Sequence, residues 1–303
     1  MRSRLSQLTC LMAVAEDGRM SRAARTVEMT PAAMSRVISQ LEAEVGTPLI
    51  TREPEGVTLT RAGTAFLARA DAVFAAETEA GQTAAALGRA ARGTMLIGFI
   101  GPPPSIGSPE LFERMAKSLD AGALLFQDLP FPLGETASWL AGVDVAICHR
   151  PRAEEGVRAL TLRVEPRAVI ANRRLPIAKQ ERVEVADVLG QVFIGYHPDV
   201  QAEWAAFHTL DDLRGGPPER ITDDRVTTTM HMAATIAASR ALTTVPFRDA
   251  RMAATVMPEL VALPLYDAAP AVISVLWRGD NINPLRDELL DVARTLDASG
   301  DGV

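Results

Sequence analysis

The first sixty residues carry apolar positions at helical period. Leu5, Leu8, Met12 and Ala15 recur at three- and four-residue spacing and predict an amphipathic helix that Glu16-Asp17-Gly18 ends. A basic Met1-Arg2-Ser3-Arg4 before this run, with Leu8-Thr9-Cys10 inside it, has the outline of a secretion signal. Ser6, Gln7 and Thr9 interrupt the run and no small-residue cleavage site closes it, so a cytoplasmic helix is expected instead. Gly18-Arg19-Met20 reads as a turn, with Ser21 capping a short helix through Val27. Thr30 then caps a third helix with Pro31 in its first position, where the missing N–H costs nothing. Met34, Ile38, Leu41 and Val45 share one face, and Gly46 stops the helix.

The opposite face of this third helix holds Ala32, Ser35, Arg36 and Ser39, small and polar near the amino end, as a helix entering a major groove requires. Ser35 and Arg36 can reach phosphates or base edges. The same pattern also fits the solvated face of any two-helix unit. Leu49–Arg52, a turn over Glu53-Pro54-Glu55-Gly56, and Val57–Thr60 predict a β-hairpin, or wing.

From residue 61 to 91 thirteen positions are Ala and none is Pro, which predicts one long helix. Phe66, Val73, Ala80 and Leu87 lie seven apart, with Ala70, Ala84 and Ala91 four residues later and Glu77 breaking that second row. This stagger suits a coiled-coil seam; an ordinary surface helix packed on its own chain is the alternative. Arg92-Gly93 ends the helix before the strand-like Thr94–Phe99. Downstream, strand-like Leu124–Gln127, Val143–Cys148, Ala168–Ala171, Val192–Tyr196, Leu242–Val245 and Val272–Trp277 alternate with helical Pro109–Leu119, Glu135–Leu140, Gln201–Leu213 and Thr228–Ala238. Such alternation predicts βαβ units and largely parallel sheets.

Charge refines the picture. The net charge of -7 excludes a protein that coats nucleic acid by bulk charge. Residues 1–92 carry 11 Arg and 10 Asp/Glu, a net of +1, while residues 93–303 carry the acidic excess of -8. Between residues 19 and 36, Arg19, Arg22, Arg25 and Arg36 stand against one acid, Glu28. The two cysteines, Cys10 and Cys148, allow neither a disulfide scaffold nor an all-cysteine zinc site. No apolar run approaches the ~18 residues of a membrane span. G-x-S-x-G, G-x-x-x-x-G-K, H-E-x-x-H and G-x-G-x-x-G are missing, so no enzyme, cofactor or metal is expected.

Ser21-Arg22-Ala23-Ala24, Thr30-Pro31-Ala32-Ala33-Met34-Ser35-Arg36, Gln40-Leu41-Glu42, Gly46-Thr47-Pro48-Leu49, Arg52 and Leu59-Thr60-Arg61-Ala62-Gly63 resemble, in order and spacing, the winged helix-turn-helix of the LysR-type transcriptional regulators. More weakly, Gly93–Gly98, Leu140–Ile147 and Leu276-Trp277-Arg278 look like strands of that family's effector domain. The resemblance implies an α/β protein in three parts. These are a DNA-binding domain over 1–60, a dimerising linker helix over 61–92, and a two-lobed domain over 93–303 similar to a periplasmic binding protein. Lobe I would take about 93–164 and 267–303, and lobe II about 165–266. It also implies a homodimer or homotetramer on double-stranded DNA that responds to a small-molecule effector. Ser21, Thr30, Pro31, Ala32, Ser35, Arg36, Ser39 and Arg52 would face the DNA. Two departures matter. Glu53 and Glu55 at the wing tip argue against a strong minor-groove contact, and Pro31 stands where many members read a base with Gln. A small-molecule binding protein without a regulatory role, or an enzyme on a two-lobed scaffold, would leave the winged head unexplained.

Ligands of open α/β sheets lie beyond the carboxyl ends of strands, here between two lobes. The residues expected there are Ser105, Ile106, Phe131, His149, Arg150, Tyr196, His197, Thr228, Thr229 and Phe247. Ser105, Thr228 or Thr229 would offer hydroxyls to an anion, and Arg150 could pair a carboxylate. Asp128-Leu129-Pro130-Phe131-Pro132, where the family often has Ser or Thr, suggests a less polar, bulkier ligand. His149, His197 and His231 fall near the cleft, without the spacing of a metal-ligand pair, and Cys148 is expected in the core.

Overall fold

The structure, a computed structural model, describes residues 4–54, 56–102, 109–118, 121–134, 137–149 and 155–297. The chain divides into two compact units, Met1–Gly81 and Gln82–Val303, so the division falls inside the long helix.

The first unit is built from α1 (Arg4–Asp17), α2 (Met20–Thr26) and α3 (Pro31–Val45), the hairpin β1 (Ile50–Glu53) and β2 (Gly56–Leu59), and the start of α4 (Arg61–Ala91). Leu11, Met34, Ile38, Leu41 and Leu49 are fully buried at its centre. The buried face of α1 is Leu8, Cys10, Leu11 and Val14, rotated from the expected stripe. The reason is that α1 packs on α2 and α3 together, so its inner face is wide and centred between them. Ser21 does not cap α2. The helix begins at Met20 after Arg19, without a side-chain cap, and Ser21 lies in its first turn.

Thr30 caps α3 as expected, its Oγ1 accepting from the Ala33 N–H at 3.2 Å, and Gly46 ends it at φ 81°. Glu42 then fixes the wing: its Oε1 accepts from the N–H groups of Leu49 and Ile50 at 2.8 and 3.1 Å. The hairpin pairs Ile50 with Leu59 and Glu53 with Gly56, so both strands lie one residue nearer the turn than expected, and Glu53 and Gly56 belong to the strands. Thr60 Oγ1 accepts from the Gly63 N–H at 2.9 Å and donates to the Pro48 carbonyl at 2.8 Å, so one hydroxyl both starts α4 and holds it to the chain before the wing. Only glycine fits position 63, because a Cβ there would lie 2.0 Å from the Leu49 carbonyl oxygen.

The expected seam of α4 is only partly available. Phe66 packs against the core of the winged unit and Ala70 is buried. Val73, Ala80, Ala84 and Leu87 remain exposed, Val73 at 44% and Leu87 at 51%.

The second unit holds two five-stranded sheets. One contains β3 (Met95–Phe99), β4 (Leu124–Asp128), β5 (Val145–His149), β6 (Val157–Glu165) and β12 (Ala271–Arg278), in the order β4-β3-β5-β12-β6. The other contains β7 (Arg167–Asn172), β8 (Val192–Tyr196), β9 (Ile221–Val226), β10 (Ala241–Pro246) and β11 (Leu260–Leu265), in the order β11-β7-β10-β8-β9. Around them lie α5 (Pro109–Ser118), α6 (Val185–Val188), α7 (Ala202–Thr209), α8 (Asp211–Arg214), α9 (Thr229–Ala238), α10 (Phe247–Val256) and α11 (Leu285–Asp297).

The sheets are mixed rather than largely parallel. β3 runs parallel to β4 and β5, and β8 to β9 and β10. β12 runs antiparallel to β5 and β6, and β7 to β10 and β11. The chain changes lobe between β6 and β7 through Pro166 alone, and returns between β11 and β12. A strand entered by such a crossing starts at the end of its sheet where the helix-connected strands finish, so it runs opposite to them, whereas a helical crossover brings the chain back to the same starting end. The helix expected over Gln201–Leu213 is broken at Leu210, whose φ is +61°, and the one expected over Glu135–Leu140 is a short 3-10 turn over Ala137–Leu140.

Candidate nucleic-acid interface and effector cleft

On the winged unit, Pro31, Ala32, Arg36 and Ser39 are exposed and Ser35 is half-buried, while Met34, Val37, Ile38 and Leu41 face inward. The polar face of α3 is therefore open to solvent, as groove entry needs. Arg52, on β1, donates from Nη2 to Ser35 Oγ at 2.9 Å and brings the wing onto this face. Thr30 is exposed but its Oγ1 is occupied as the helix cap. Ser21 is exposed on α2.

In the second unit the two sheets share one apolar cluster, which includes Ile100, Leu129, Phe131 and Cys148 from one lobe and Ile170, Trp204, Met232 and Val245 from the other. The loop after β4 crosses the gap. The Phe131 N–H donates to the Thr227 carbonyl at 2.8 Å, and the Gln201 N–H donates to the Pro132 carbonyl at 2.9 Å. Phe131 thereby turns inward, its ring centroid 5.6 Å from Tyr196 and 6.0 Å from Trp204. What remains between the lobes is a narrow cleft walled by Ile100, Phe131, Ile170, Trp204, Met232 and Val245, with His149, His208, Thr229 and Asp249 as its polar positions.

The rings in the wall are packed closely. His149 lies 4.0 Å from Trp204, 4.2 Å from Phe207 and 4.9 Å from His208, centroid to centroid. Burial pushes both histidines toward the neutral form, His208 down to about 4 and His149 well below its ordinary value. Arg167 adds to this. Its guanidinium stacks 3.9 Å over Phe207, and its positive charge disfavours a second one on either imidazole. His208 Nδ1 lies 2.5 Å from the Thr244 carbonyl oxygen, which can only accept. Nδ1 therefore carries the proton, and Nε2 is a bare lone pair. Among the described residues, His208 Nε2, His149 Nε2 and Trp204 Nε1 are buried without a hydrogen-bond partner. Each such group costs about 1–3 kcal/mol.

Of the expected effector residues, the structure brings Phe131, His149 and Thr229 to the cleft wall. Tyr196 stands behind it, stacked on His208 at 5.6 Å with its hydroxyl 3.2 Å from Thr243 Oγ1. Thr228 caps α9 through the His231 N–H, and Phe247 packs on the shared core. His197 is exposed and its Nδ1 accepts from the Asp199 N–H, while His231 pairs with Asp224 at 2.9 Å on the surface. The histidines at the cleft are thus His149 and His208, not the three expected. Ser105, Ile106 and Arg150 lie outside the described residues. Trp204, His208 and Asp249 were not anticipated. The aromatic spacing of Trp204, Phe207 and His208 on one short helix was the available signal. Among the described residues no group of three or more His, Cys, Asp or Glu could hold a metal, and no helix is long and apolar enough to cross a membrane.

Residues 5–64 match the bacterial regulatory helix-turn-helix protein domain of the lysR family, and residues 136–297 match the LysR substrate binding domain. The chain belongs to the LysR family of transcriptional regulators. It is similar to the HTH-type transcriptional regulator AlsR of Bacillus subtilis (strain 168), 25% identical over 190 residues. That alignment spans 63% of this chain and 63% of AlsR, less than two thirds of either. The fold is similar to the crystal structure of CbnR, a LysR family transcriptional regulator, with a TM-score of 0.57 at 20% identity over 97% of this chain and 99% of that one. Full-length CbnR complexed with its target DNA gives a TM-score of 0.50 at 22% identity, covering 97% and 99% of the two chains.

Proposed function

We propose that this chain is a cytoplasmic regulator that binds duplex DNA and changes its grip when a small molecule enters the cleft between its lobes. Residues 1–60 form the reading head, 61–92 the helix that pairs two copies in a dimer or tetramer, and 93–303 the effector domain, with lobes over about 93–164 with 267–303 and 165–266. α3 enters the major groove led by Thr30 and Pro31. Ser35, Arg36, Ser39 and Arg52 contact phosphates or base edges, and Ser21 and Ala32 flank them. Phe131, His149, Tyr196 and Thr229 take part in the effector site, with Trp204 and His208 added to them.

The observation that carries this reading is the open polar face of α3, with Arg52 hydrogen-bonded to Ser35 across it. A face meant only for solvent has no need of a wing latched to it. Ligand-driven closure of the lobes would alter the spacing of paired heads, which must sit about 34–36 Å apart, or a multiple, to meet successive major grooves. Gel shifts of the full chain on the DNA upstream of its own gene test the proposal. Specific, salt-sensitive binding that weakens in Arg36→Ala is expected. Binding absent, or indifferent to that substitution, overturns it.

A further inference from the structure

We infer that Glu42 is a positioning residue for DNA recognition: its carboxylate sets the hairpin against α3 and so places Arg52 for the duplex. This rests on Ser35 and Arg52 being the DNA contacts proposed above, and names the group that holds them in place when DNA arrives.

Two polar ties join the hairpin to α3. Glu42 Oε1 accepts from the Leu49 and Ile50 N–H groups at 2.8 and 3.1 Å, and Arg52 Nη2 donates to Ser35 Oγ at 2.9 Å. Ser35 and Glu42 are two turns apart on one face of α3, about 10 Å along its axis. Leu49 lies just before β1, and the three residues from it to Arg52 also cover about 10 Å when extended. The spacings match, so the strand runs back along α3 toward its amino end with a tie at each end. A segment held at one point can pivot, whereas a segment held at two has its direction fixed.

DNA acts differently on the two ties. Ser35 and Arg52 lie on the polar face of α3, where phosphates and base edges compete for the same N–H and O–H groups. Glu42 instead bonds backbone N–H groups at the buried end of the strand, where Leu49 and Ile50 sit in the core of the head. It therefore still holds the hairpin once the bond between Arg52 and Ser35 has been given up to a phosphate. The other strand has an anchor of its own. The Val57 N–H donates to the Gly18 carbonyl at 2.8 Å, and a Cβ on Gly56 would lie 2.5 Å from that oxygen. Loss of the Glu42 acceptor thus leaves the hairpin docked on the head but free to turn on its β1 side. The tie needs an acceptor of this reach rather than a charge, and glutamine keeps that acceptor.

Fluorescence anisotropy of the full chain, on the DNA upstream of its own gene and on an unrelated duplex of the same length, tests the inference. Glu42→Ala is expected to weaken binding to the upstream DNA about tenfold, as loss of a base or phosphate contact does. Binding to the unrelated duplex is expected to stay within about twofold, since no cation is removed, whereas an unfolded head would lose both. Glu42→Gln is expected to bring upstream binding back to within about threefold of the original, because its amide oxygen accepts from the same two N–H groups. In an Arg52→Ala background, Glu42→Ala is expected to cost less than about threefold, because the contact it positions is already gone. Unchanged upstream binding in Glu42→Ala, equal loss on both duplexes, failure of Glu42→Gln to restore binding, or a cost undiminished by Arg52→Ala overturns the inference. Arg52→Ala alone judges the contact reading beneath it. If that substitution leaves upstream binding unchanged, Arg52 is no DNA contact and both fall; if it weakens binding, the contact stands whatever Glu42 does.

Discussion

Arg52 and Ser35, seventeen residues apart in the chain, are joined by a 2.9 Å hydrogen bond from Nη2 to Oγ. Ser35 accepts in this bond, which leaves its own proton to donate to a phosphate or a base edge, while the remaining N–H groups of Arg52 spread beside it. The hairpin and α3 therefore present one surface. Ser35→Ala and Arg52→Ala are each expected to weaken operator binding by about 1–3 kcal/mol, and the double variant by less than their sum. A double-mutant cycle in gel shifts measures this, and strict additivity would separate the two residues.

The wing tip should restrain nonspecific binding. Glu53 ends β1 exposed to solvent, and a carboxylate there repels the duplex backbone. Glu53→Lys is expected to tighten binding to unrelated DNA and to steepen the dependence of log K on log salt by up to about one unit. Fluorescence anisotropy at several salt concentrations reads both quantities. An unchanged slope would place the tip away from DNA.

The end of α4 is clamped to the sheet of β3 and β5 by a buried ion pair. Arg89 donates from Nε and Nη2 to the two carboxylate oxygens of Asp144 at 2.8 and 3.1 Å, and the Leu96 N–H donates to the same carboxylate at 2.7 Å. Asp144→Ala would strand a guanidinium that is only 8% exposed, and is expected to cost about 3–5 kcal/mol in urea unfolding. Arg89→Met with Asp144→Leu removes both charges and is expected to recover more than about 1 kcal/mol of that loss, though not all, because Leu96 still lacks its acceptor. Equal loss in the single and double variants would refute the pairing energy.

The winged head was legible in the sequence because its signals are local. Thr30-Pro31 at a helix start, Gly46 at its end and the hairpin spacing each depend on neighbours a few residues away. The Ala-rich run gave α4 to within a residue. What the sequence did not reveal depends on partners far along the chain. β6, β9 and β11 have poorly alternating burial, and their strand character comes from pairing with β12, β8 and β7. Leu210 breaks a continuous helical pattern through a left-handed backbone that no local residue demands. Strand ends point to a cleft but not to which rings meet there. His149 is the last residue of β5, and His208 reaches it from α7 only because the lobes pack face to face.

Acid should loosen the effector domain. His208 titrates near 6.5 when unfolded and only at about 4 when folded, so between those values the unfolded chain binds the proton and the native one does not. The stability at stake is intact above pH 6.5 and is lost as pH falls toward 4. His149, held well below its ordinary value by burial and by the charges of its neighbours, adds a loss of the same sign. By pH 5 His208 alone is expected to remove about 2 kcal/mol. Urea midpoints at pH 7.5 and pH 5 measure the loss, and His208→Asn should flatten the difference. A midpoint that does not move in the unsubstituted protein would mean that the rings are not buried neutral.

The long helix carries the last prediction. Val73 and Leu87 are fourteen residues apart, two heptads, and so share one face of α4. They are 44% and 51% exposed, while Phe66 of the same pattern packs on the core of the winged unit and Ala70 is buried. An apolar row left uncovered at heptad spacing suits a second copy of the same helix. Two glutamates introduced there, Val73→Glu and Leu87→Glu, would bury like charges in any such seam. The double variant is expected to sediment as a smaller species at concentrations where the unsubstituted chain is oligomeric, and to lose affinity for paired half-sites while keeping weak binding to one. Thermal unfolding of each unit should change little, because neither side chain contributes to a core. An oligomer that survives both charges would place the contact between copies elsewhere on the chain.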